Sequence, residues 1–502
     1  MKKRIILGVA IVFVVGGGIA AGVLWKGSDN SGTNGENQVQ TAEVVKEMTV
    51  PTADEKNAVV INLKQDGTSC HSDKVQIAQN EIKIKEKGTY ILRGSLSDGK
   101  IKVNADENAD VILVLDGATV MNKSGKAVEC KDAKTFSIQA KADTKNLLQN
   151  GEAGGAEEKG AAVASVCDMS IAGDGELQIK GYRKHGVRGD NGILFAASNC
   201  SIDALQDGVN ADVVQITGGT LTIQSGDDGI HADSSYTMRD GKVIVEKAKE
   251  GVEGNQISIE GGELNITSED DGINAYGGQS MMGKGPMERQ AEEEDADKED
   301  EKANLPMPNL NISGGKIVID AEGDGLDSNG NINVSGGETV VHGPVNGGNG
   351  ALDSGSESGG TITIQGGTLI AVGSSRMAET FDETSAQCSI LHVFDESFAA
   401  GDKLVITDES GKELYQHTFT KSADSVVFSS PELKKGSTYT FKYGEKSVEV
   451  KQESVSESNS NYQGMGGGAG KGGFQRGNKD DRKRPEGAPK MDGGPGGVNA
   501  MN

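Results

Sequence analysis

Between residues 185 and 373 the chain repeats a short unit, and no other feature limits its possible folds so strongly. Each unit is anchored by a glycine and an aliphatic residue: Gly186-Val187, Gly208-Val209, Gly229-Ile230, Gly251-Val252, Gly272-Ile273 and Gly325-Leu326. The glycines are spaced by 22, 21, 22, 21 and 53 residues. Taking one period from the last interval leaves a piece of about 31 residues, which matches residues 277–308, where no strand pattern exists. A second series of turns runs in phase with the first, at Gly218-Gly219, Asp240-Gly241, Gly261-Gly262, Gly314-Gly315, Gly336-Gly337 and Gly366-Gly367. Most have alternating aliphatics on both sides, as in Leu310-Asn-Ile312 and Ile317-Val-Ile319. Each period therefore holds three short strands, the layout of an all-β, right-handed parallel β-helix with about 21–22 residues per coil. A helical repeat would need apolar residues at i, i+3 and i+4, which are absent. Clusters such as Gly226-Asp-Asp-Gly229 resemble the calcium-binding nonapeptide roll, but the period is too long for it.

Stacked coils also explain an odd composition. The 502 residues include 73 glycines but only 10 Phe, 8 Tyr and 1 Trp, too few aromatics for several bulky cores. A column of aliphatics needs none. The formal net charge of -25 argues against sequence-independent binding of the body to nucleic acid or anionic lipid, and leaves cations as natural partners. Five scattered cysteines (Cys70, Cys130, Cys167, Cys200, Cys388) do not form a disulfide framework and are expected as buried single thiols.

Around the repeat the chain divides by composition. Residues 1–25 carry Lys2, Lys3 and Arg4 and then an uncharged stretch, Ile5 to Trp25, long enough to span a bilayer. A retained signal anchor with the body outside the cell is expected, the alternative being secretion after signal cleavage. Residues 26–56 read as a flexible stalk. The β-helix is expected over 57–387, its short alternating runs beginning in the segment from Val59 to Val120. Within it, 277–308 reads as a disordered acidic insertion, with eight acids and one lysine between Glu292 and Glu301. Residues 388–452 are richer in aromatics and read as a small sandwich-like β-domain or capping sheet; 453–502 read as a disordered Gly/Met/Pro-rich tail.

Two segments are more specific than the repeat. Gly88-Thr-Tyr-Ile-Leu-Arg-Gly-Ser-Leu-Ser-Asp-Gly-Lys-Ile-Lys-Val103, followed by Val111-Ile-Leu-Val-Leu-Asp-Gly117, and Ser429-Ser-Pro-Glu-Leu-Lys-Lys-Gly-Ser-Thr-Tyr-Thr440 resemble the carbohydrate-binding family of clostridial surface proteins. The resemblance covers roughly residues 57 to 450, with Lys145-Asn-Leu-Leu-Gln-Asn150 between the two. It implies a β-helix related in shape to pectate lyases. It further implies an extracellular, calcium-containing, non-catalytic binder of polysaccharides such as cellulose or polygalacturonate-like pectic chains. The acidic insertion and the N-terminal span depart from the bare family pattern.

The residues preceding the anchoring glycines are His185, Asp207, Asp228, Glu250, Asp271 and Asp324. In register they form a ladder of carboxylates about 4.8 Å apart, whose repulsion calls for cations or good solvation. Asp207, Asp228, Asp271 and Asp324, with Asp227, Asp270 and Asp327 nearby, are the candidate metal ligands. Their oxygen donors suit Ca²⁺ better than zinc or copper. The plainer reading is that Asp-Gly is turn chemistry, with glycine supplying a positive φ. A polysaccharide lyase acting on uronate polymers is the alternative function and would need a base to abstract a proton; Arg183, Lys184, His185, Arg188, Arg239 and His231 are the candidates. A structural adhesin or wall spacer is the second alternative. Tyr182, Tyr236 and Tyr276 do not align as a stacking platform, which favours polar and calcium-bridged recognition of an acidic glycan over aromatic stacking.

Overall fold

The aliphatic residue of each anchor meets its counterpart one coil away. In the computed structural model, which describes residues 13–15, 18–20, 47–154, 160–277 and 305–460, parallel pairing joins Val187 to Val209, Val209 to Ile230, Ile230 to Val252, Val252 to Ile273 and Ile273 to Leu326. The column continues past the repeat visible in the sequence, through Val163, Val128 and Ile101 to Ile82 on one side and to Leu352 on the other. All of these side chains are buried. We call this the anchor stack.

Two further parallel stacks complete each coil. One carries Ile216, Met238, Ile259, Ile312, Val334 and Ile364 in register. The other carries Ile223, Val245, Ile266, Ile319, Val341 and Ala371. The chain is thus an all-β parallel β-helix, and its core is a pile of like residues at the coil rise of about 4.8 Å. The turns between these two stacks need the left-handed conformation: Gly219, Gly241, Gly262 and Gly315 have φ between 82° and 95°. Side chains seldom adopt it, so the second glycine of each pair recurs.

The coils before residue 185 obey the same registers without the Gly-aliphatic spelling, because Val128 and Val163 follow Ala127 and Ala162 and the connecting segments vary in length. Strand register is what the stack requires, whereas connections at the corners can lengthen at little cost.

At the C-terminal end, Leu369–Gly373 of the last coil pairs antiparallel with Ser425–Ser429, which in turn pairs with Ser389–Val393. These strands bury both faces. Leu369, Ala371, Leu391 and Val427 join the β-helix core, while Ile370, Val372, Ile390, Val426 and Phe428 pack against Leu404, Ile406, Tyr439 and Phe441 of a four-stranded antiparallel sheet. The aromatic-rich segment therefore closes the open end of one stack.

Residues 48–56, which composition assigns to the stalk, lie along the side of the coils. Met48 donates its amide to Gln215 Oε1 at 3.2 Å, Pro51 accepts from Gln139 Nε2 at 2.8 Å, and Asp54 donates its amide to Thr89 Oγ1 at 3.0 Å. Most of the predicted anchor Ile5–Trp25 lies outside the described residues; within it Phe13–Val15 pairs antiparallel with Gly18–Ala20. Among the described residues no helix is long and apolar enough to cross a membrane. Residues 278–304 of the insertion and 461–502 of the tail also lie outside the described residues. Residues 453–460, which composition assigns to the disordered tail, are ordered: Ser456–Ser458 pairs parallel with Ser389–Leu391, because the sheet edge there supplies the partner that composition does not reveal. Cys130, Cys167 and Cys200 are buried free thiols, but Cys130 and Cys167 are neighbours, with Sγ atoms 3.6 Å apart.

The pairing of Gln256–Ile259 with Asn309–Ile312 and of Ile273 with Leu326 makes the coils on either side of the insertion direct neighbours. The ends of the insertion also meet: a Cβ on Gly277 would lie 3.1 Å from Pro308 Cγ. Deleting Gln279 to Lys302 should therefore leave the fold intact, with stability raised by about 1 kcal/mol through the shorter loop. A melting temperature lowered by more than a few degrees would show that the acidic run packs on the coils.

Candidate metal and carbohydrate site

Along one edge of the anchor stack, each glycine amide donates to the carbonyl of the residue before the next glycine: Gly208 to Asp228 at 2.9 Å, Gly229 to Glu250 at 2.8 Å, Gly251 to Asp271 at 3.0 Å and Gly272 to Asp324 at 2.8 Å. These bonds hold the acidic ladder in register. The glycines are required here by lack of space and not by a positive φ, which none of them has. A Cβ on Gly208 would lie 2.7 Å from Gly229 O, and one on Gly272 would lie 2.5 Å from Gly325 O. Turn chemistry explains the other glycine series; close approach of successive coils explains this one.

A second outward row runs beside the ladder, two positions after each glycine. Its register is Arg188, Asn210, His231, Glu253, Asn274, Asp327 and Asp353. The two rows together build the site. Asp207, buried, lies 3.2 Å from His185 Nδ1 and accepts from Asn210 Nδ2 at 2.7 Å. Burial alone would raise its carboxyl, but the adjacent His185 outweighs this and holds it below the usual range. His231 reaches three carboxylates: Nδ1 is 3.1 Å from Asp228 and 2.6 Å from Glu253, and Nε2 is 3.3 Å from Asp233. Burial favours the neutral ring, yet Asp228, Asp233 and Glu253 prevail and keep the imidazolium well above its ordinary range.

Beyond His231 the compensation thins. Burial pushes Asp228 up to about 8 against the lowering effect of His231, with Glu253 and Asp207 adding repulsion. Burial followed by Asp228 and Asp271 brings Glu250 to about 8, although Asn274 Nδ2 donates to it at 3.0 Å. Burial raises Asp271 to about 6 and Asp324 to about 8, even though each accepts a backbone amide, from Asp324 at 2.7 Å and from Gly350 at 2.5 Å. Asp327 is driven far above the carboxylate range, first by burial and then by Asp271, Asp324 and Asp353. Lys249 faces Glu250, Asp227, Asp228 and Asp270 and offsets only part of this.

Among the described residues, two groups of side chains bring one ligand atom each within 4.8 Å of one another: Asp207, Asp228 and His231, and Asp228, Glu250 and Glu253. The second is all carboxylate, the donor set of hard cations; the first adds an imidazole nitrogen. Of the ligands expected from sequence, Asp228 sits at the centre of both groups and Asp207 belongs to one. Asp271, Asp324 and Asp327 repel one another further along the stack. Asp270 joins Asp271 at the corner, where a Cβ on Gly323 would lie 2.6 Å and 2.5 Å from their carboxylate oxygens. Asp227 is half-buried beside Asp228, which raises its carboxyl after burial does.

Sequence reasoning left Glu250, Glu253, His231 and Asp353 out of the ligand set. The signal was the second row itself. Leu326-Asp-Ser328 repeats as Leu352-Asp-Ser354, hidden because Ala351 replaces the anchoring glycine. Of the candidate bases for a lyase, His185 and His231 lie within the ladder against its carboxylates, whereas Arg188 pairs with Asp190 at 3.6 Å, Arg239 with Glu260 at 3.4 Å, and Arg183 donates to Lys123 O at 3.2 Å. Tyr236 is buried in the core and Tyr182 donates to Asp203 at 2.9 Å.

A solved structure described as the polysaccharide lyase-like protein from C. thermocellum, gadolinium derivative, is 19% identical and matches 61% of this chain and 96% of its own, with a TM-score of 0.37. A curated relative from Acetivibrio thermocellus, described as a carbohydrate-binding domain-containing protein, is 26% identical over 137 residues, 26% of this chain and 48% of the relative. The match thus spans about half of that relative's length. The family profile of carbohydrate-binding domain-containing proteins matches residues 78–347, more than half of the sequence and every residue of the acidic ladder from Asp207 to Asp324. The chain belongs to that carbohydrate-binding family.

Proposed function

We propose that the protein binds polysaccharide without cleaving it, outside the cell and held there by the Ile5–Trp25 segment, and that calcium on the carboxylate ladder helps it recognise acidic, pectin-like chains. The observation that carries this reading is the packing of Asp228, Glu250 and Glu253 at ligand-atom separations within 4.8 Å. Buried carboxylates this close are costly as free anions, and a divalent cation removes that cost. The ladder residues would supply oxygen ligands from successive coils, and a cation held on an outer face keeps positions open for a sugar carboxylate. The remaining coordination would come from water or uronate.

The test is retention of the purified chain on polygalacturonate, cellulose and neutral glycans, in calcium and in chelator. Retention on polygalacturonate that is strongest in calcium supports the reading. Retention on no polysaccharide would leave a structural adhesin or spacer, and release of unsaturated oligosaccharide would make the protein a lyase.

A further inference from the structure

Two cavities open on the anchor-stack face before the acidic ladder begins. The first, about 430 Å³, is lined by Lys126, Glu129, Lys131, Val166, Arg188 and Asp190, among others. The second, about 520 Å³, includes Glu81, Lys100 and Asn122, and it shares Lys126 and Glu129 with the first. Together they form one groove, each part in the size range of roughly 300–1,000 Å³ typical of small-molecule sites.

Its charge is the reverse of the ladder's. Lys126 Nζ lies 3.0 Å and Lys131 Nζ 3.7 Å from the same Glu129 oxygen, while Lys100 is taken by Glu81 at 3.0 Å. Two ammonium groups on one carboxylate leave a positive charge unbalanced, in a chain whose net charge is -25. The Glu129 side chain is 14% exposed against 36% for Lys126 and 49% for Lys131, so the cations face solvent and the acid lies beneath them. Ala164 separates Glu129 from Arg188 in the outward row and leaves a trough between long side chains. Val166, 45% exposed, offers an apolar rim, of the kind a sugar C–H face can cover.

The groove also leads directly to the ladder. Glu129, Ala164, Arg188, Asn210 and His231 follow one another in register, so the two ends are about 19 Å apart at one coil rise per step. A pyranose residue in an extended chain advances by a length comparable to that rise. We infer that the groove at Lys126 and Lys131 is a calcium-independent subsite for a uronic-acid carboxylate of a polysaccharide lying along the helix axis, with other carboxylates of the same chain at the ladder. This rests on the polysaccharide-binding reading above. Charge-assisted hydrogen bonds from the lysines supply the contact, and they weaken with salt.

The test uses the full chain and a defined-length oligogalacturonide, with its methyl ester as control, in chelator at low salt. The parent should bind the free acid. Lys126→Gln with Lys131→Gln should weaken that binding by about tenfold without changing the melting temperature. Glu129→Gln frees both ammonium groups and should tighten it several-fold, a gain that misfolding cannot imitate. Binding of the methyl ester should respond to neither change. The subsite is overturned if the parent binds only with calcium, if the lysine variant binds as the parent does, or if Glu129→Gln weakens binding. If the parent holds no polysaccharide even with calcium, the broader reading fails and the subsite with it.

Discussion

Replacing Ile273 by Asp is expected to prevent the β-helix from folding as a unit. Ile273 has no exposed surface and lies in the anchor column between Val252 and Leu326, at the coil flanking the acidic insertion. Removing its side chain alone would cost about 2–5 kcal/mol. Placing a carboxylate among aliphatics adds a desolvation cost of several kcal/mol more, with no partner in the column to offset it. The sum is comparable to the whole stability of an ordinary domain, about 5–15 kcal/mol. Loss of the cooperative thermal transition, or recovery only as aggregate, is the expected result. A stacked core has no second layer to absorb the change. Near-normal stability of the Ile273 variant would put the inward face on the wrong side.

The second large effect concerns the ladder. With chelator, the raised carboxyls of Asp228, Glu250 and Asp324, each at about 8 against ordinary values of 3.8 or 4.5, make ionisation unfavourable in the folded state. Their contribution to stability is full below the unfolded values and is lost as pH rises through the folded ones, so the chelated protein should lose stability between about pH 4 and about pH 8. The raised His231 acts in the same direction, and the lowered Asp207 matters only below its unfolded value of 3.8. Calcium should abolish this decline. At a concentration a hundredfold above its dissociation constant it adds about 2.7 kcal/mol, roughly 5 °C in melting temperature, and the gain should be larger at pH 8 than at pH 5.

Replacing Asp228 and Asp271 together by Asn keeps oxygen acceptors, including the one that receives the Asp324 amide, while removing two charges. This variant should fold, melt higher than the parent in chelator at pH 8, lose most of the calcium-induced rise, and bind polygalacturonate more weakly. Thermal scans at both pH values, with calcium and with chelator, provide the measurement. A full calcium-dependent rise in the double variant would mean that the cation sits on other residues.

The periodic spacing of glycine and aliphatic residues determined the fold by itself, because a column of like residues requires the same residue type at the same interval, and that interval is visible in one dimension. The same arithmetic made the coils on either side of residues 277–308 neighbours, and it placed Asp207, Asp228, Asp271 and Asp324 on one edge. What it could not reveal was which acids meet. Asp228 and His231 are three residues apart on one coil, but Glu253 is brought to them from the next coil, by a distance set by backbone pairing and not by sequence separation. Nor could the spacing explain why glycine precedes each anchor. Turn geometry was the natural expectation, and only the close approach of Gly272 to Gly325 O showed that the residue is excluded by volume. The basic groove was equally hidden, since Lys126, Lys131 and Arg188 come from coils that lack the Gly-aliphatic spelling or lie at its edge. Periodicity along the chain is preserved by stacking, but the charge environment of a side chain depends on neighbours in three directions, two of which exist only once the coils are wound.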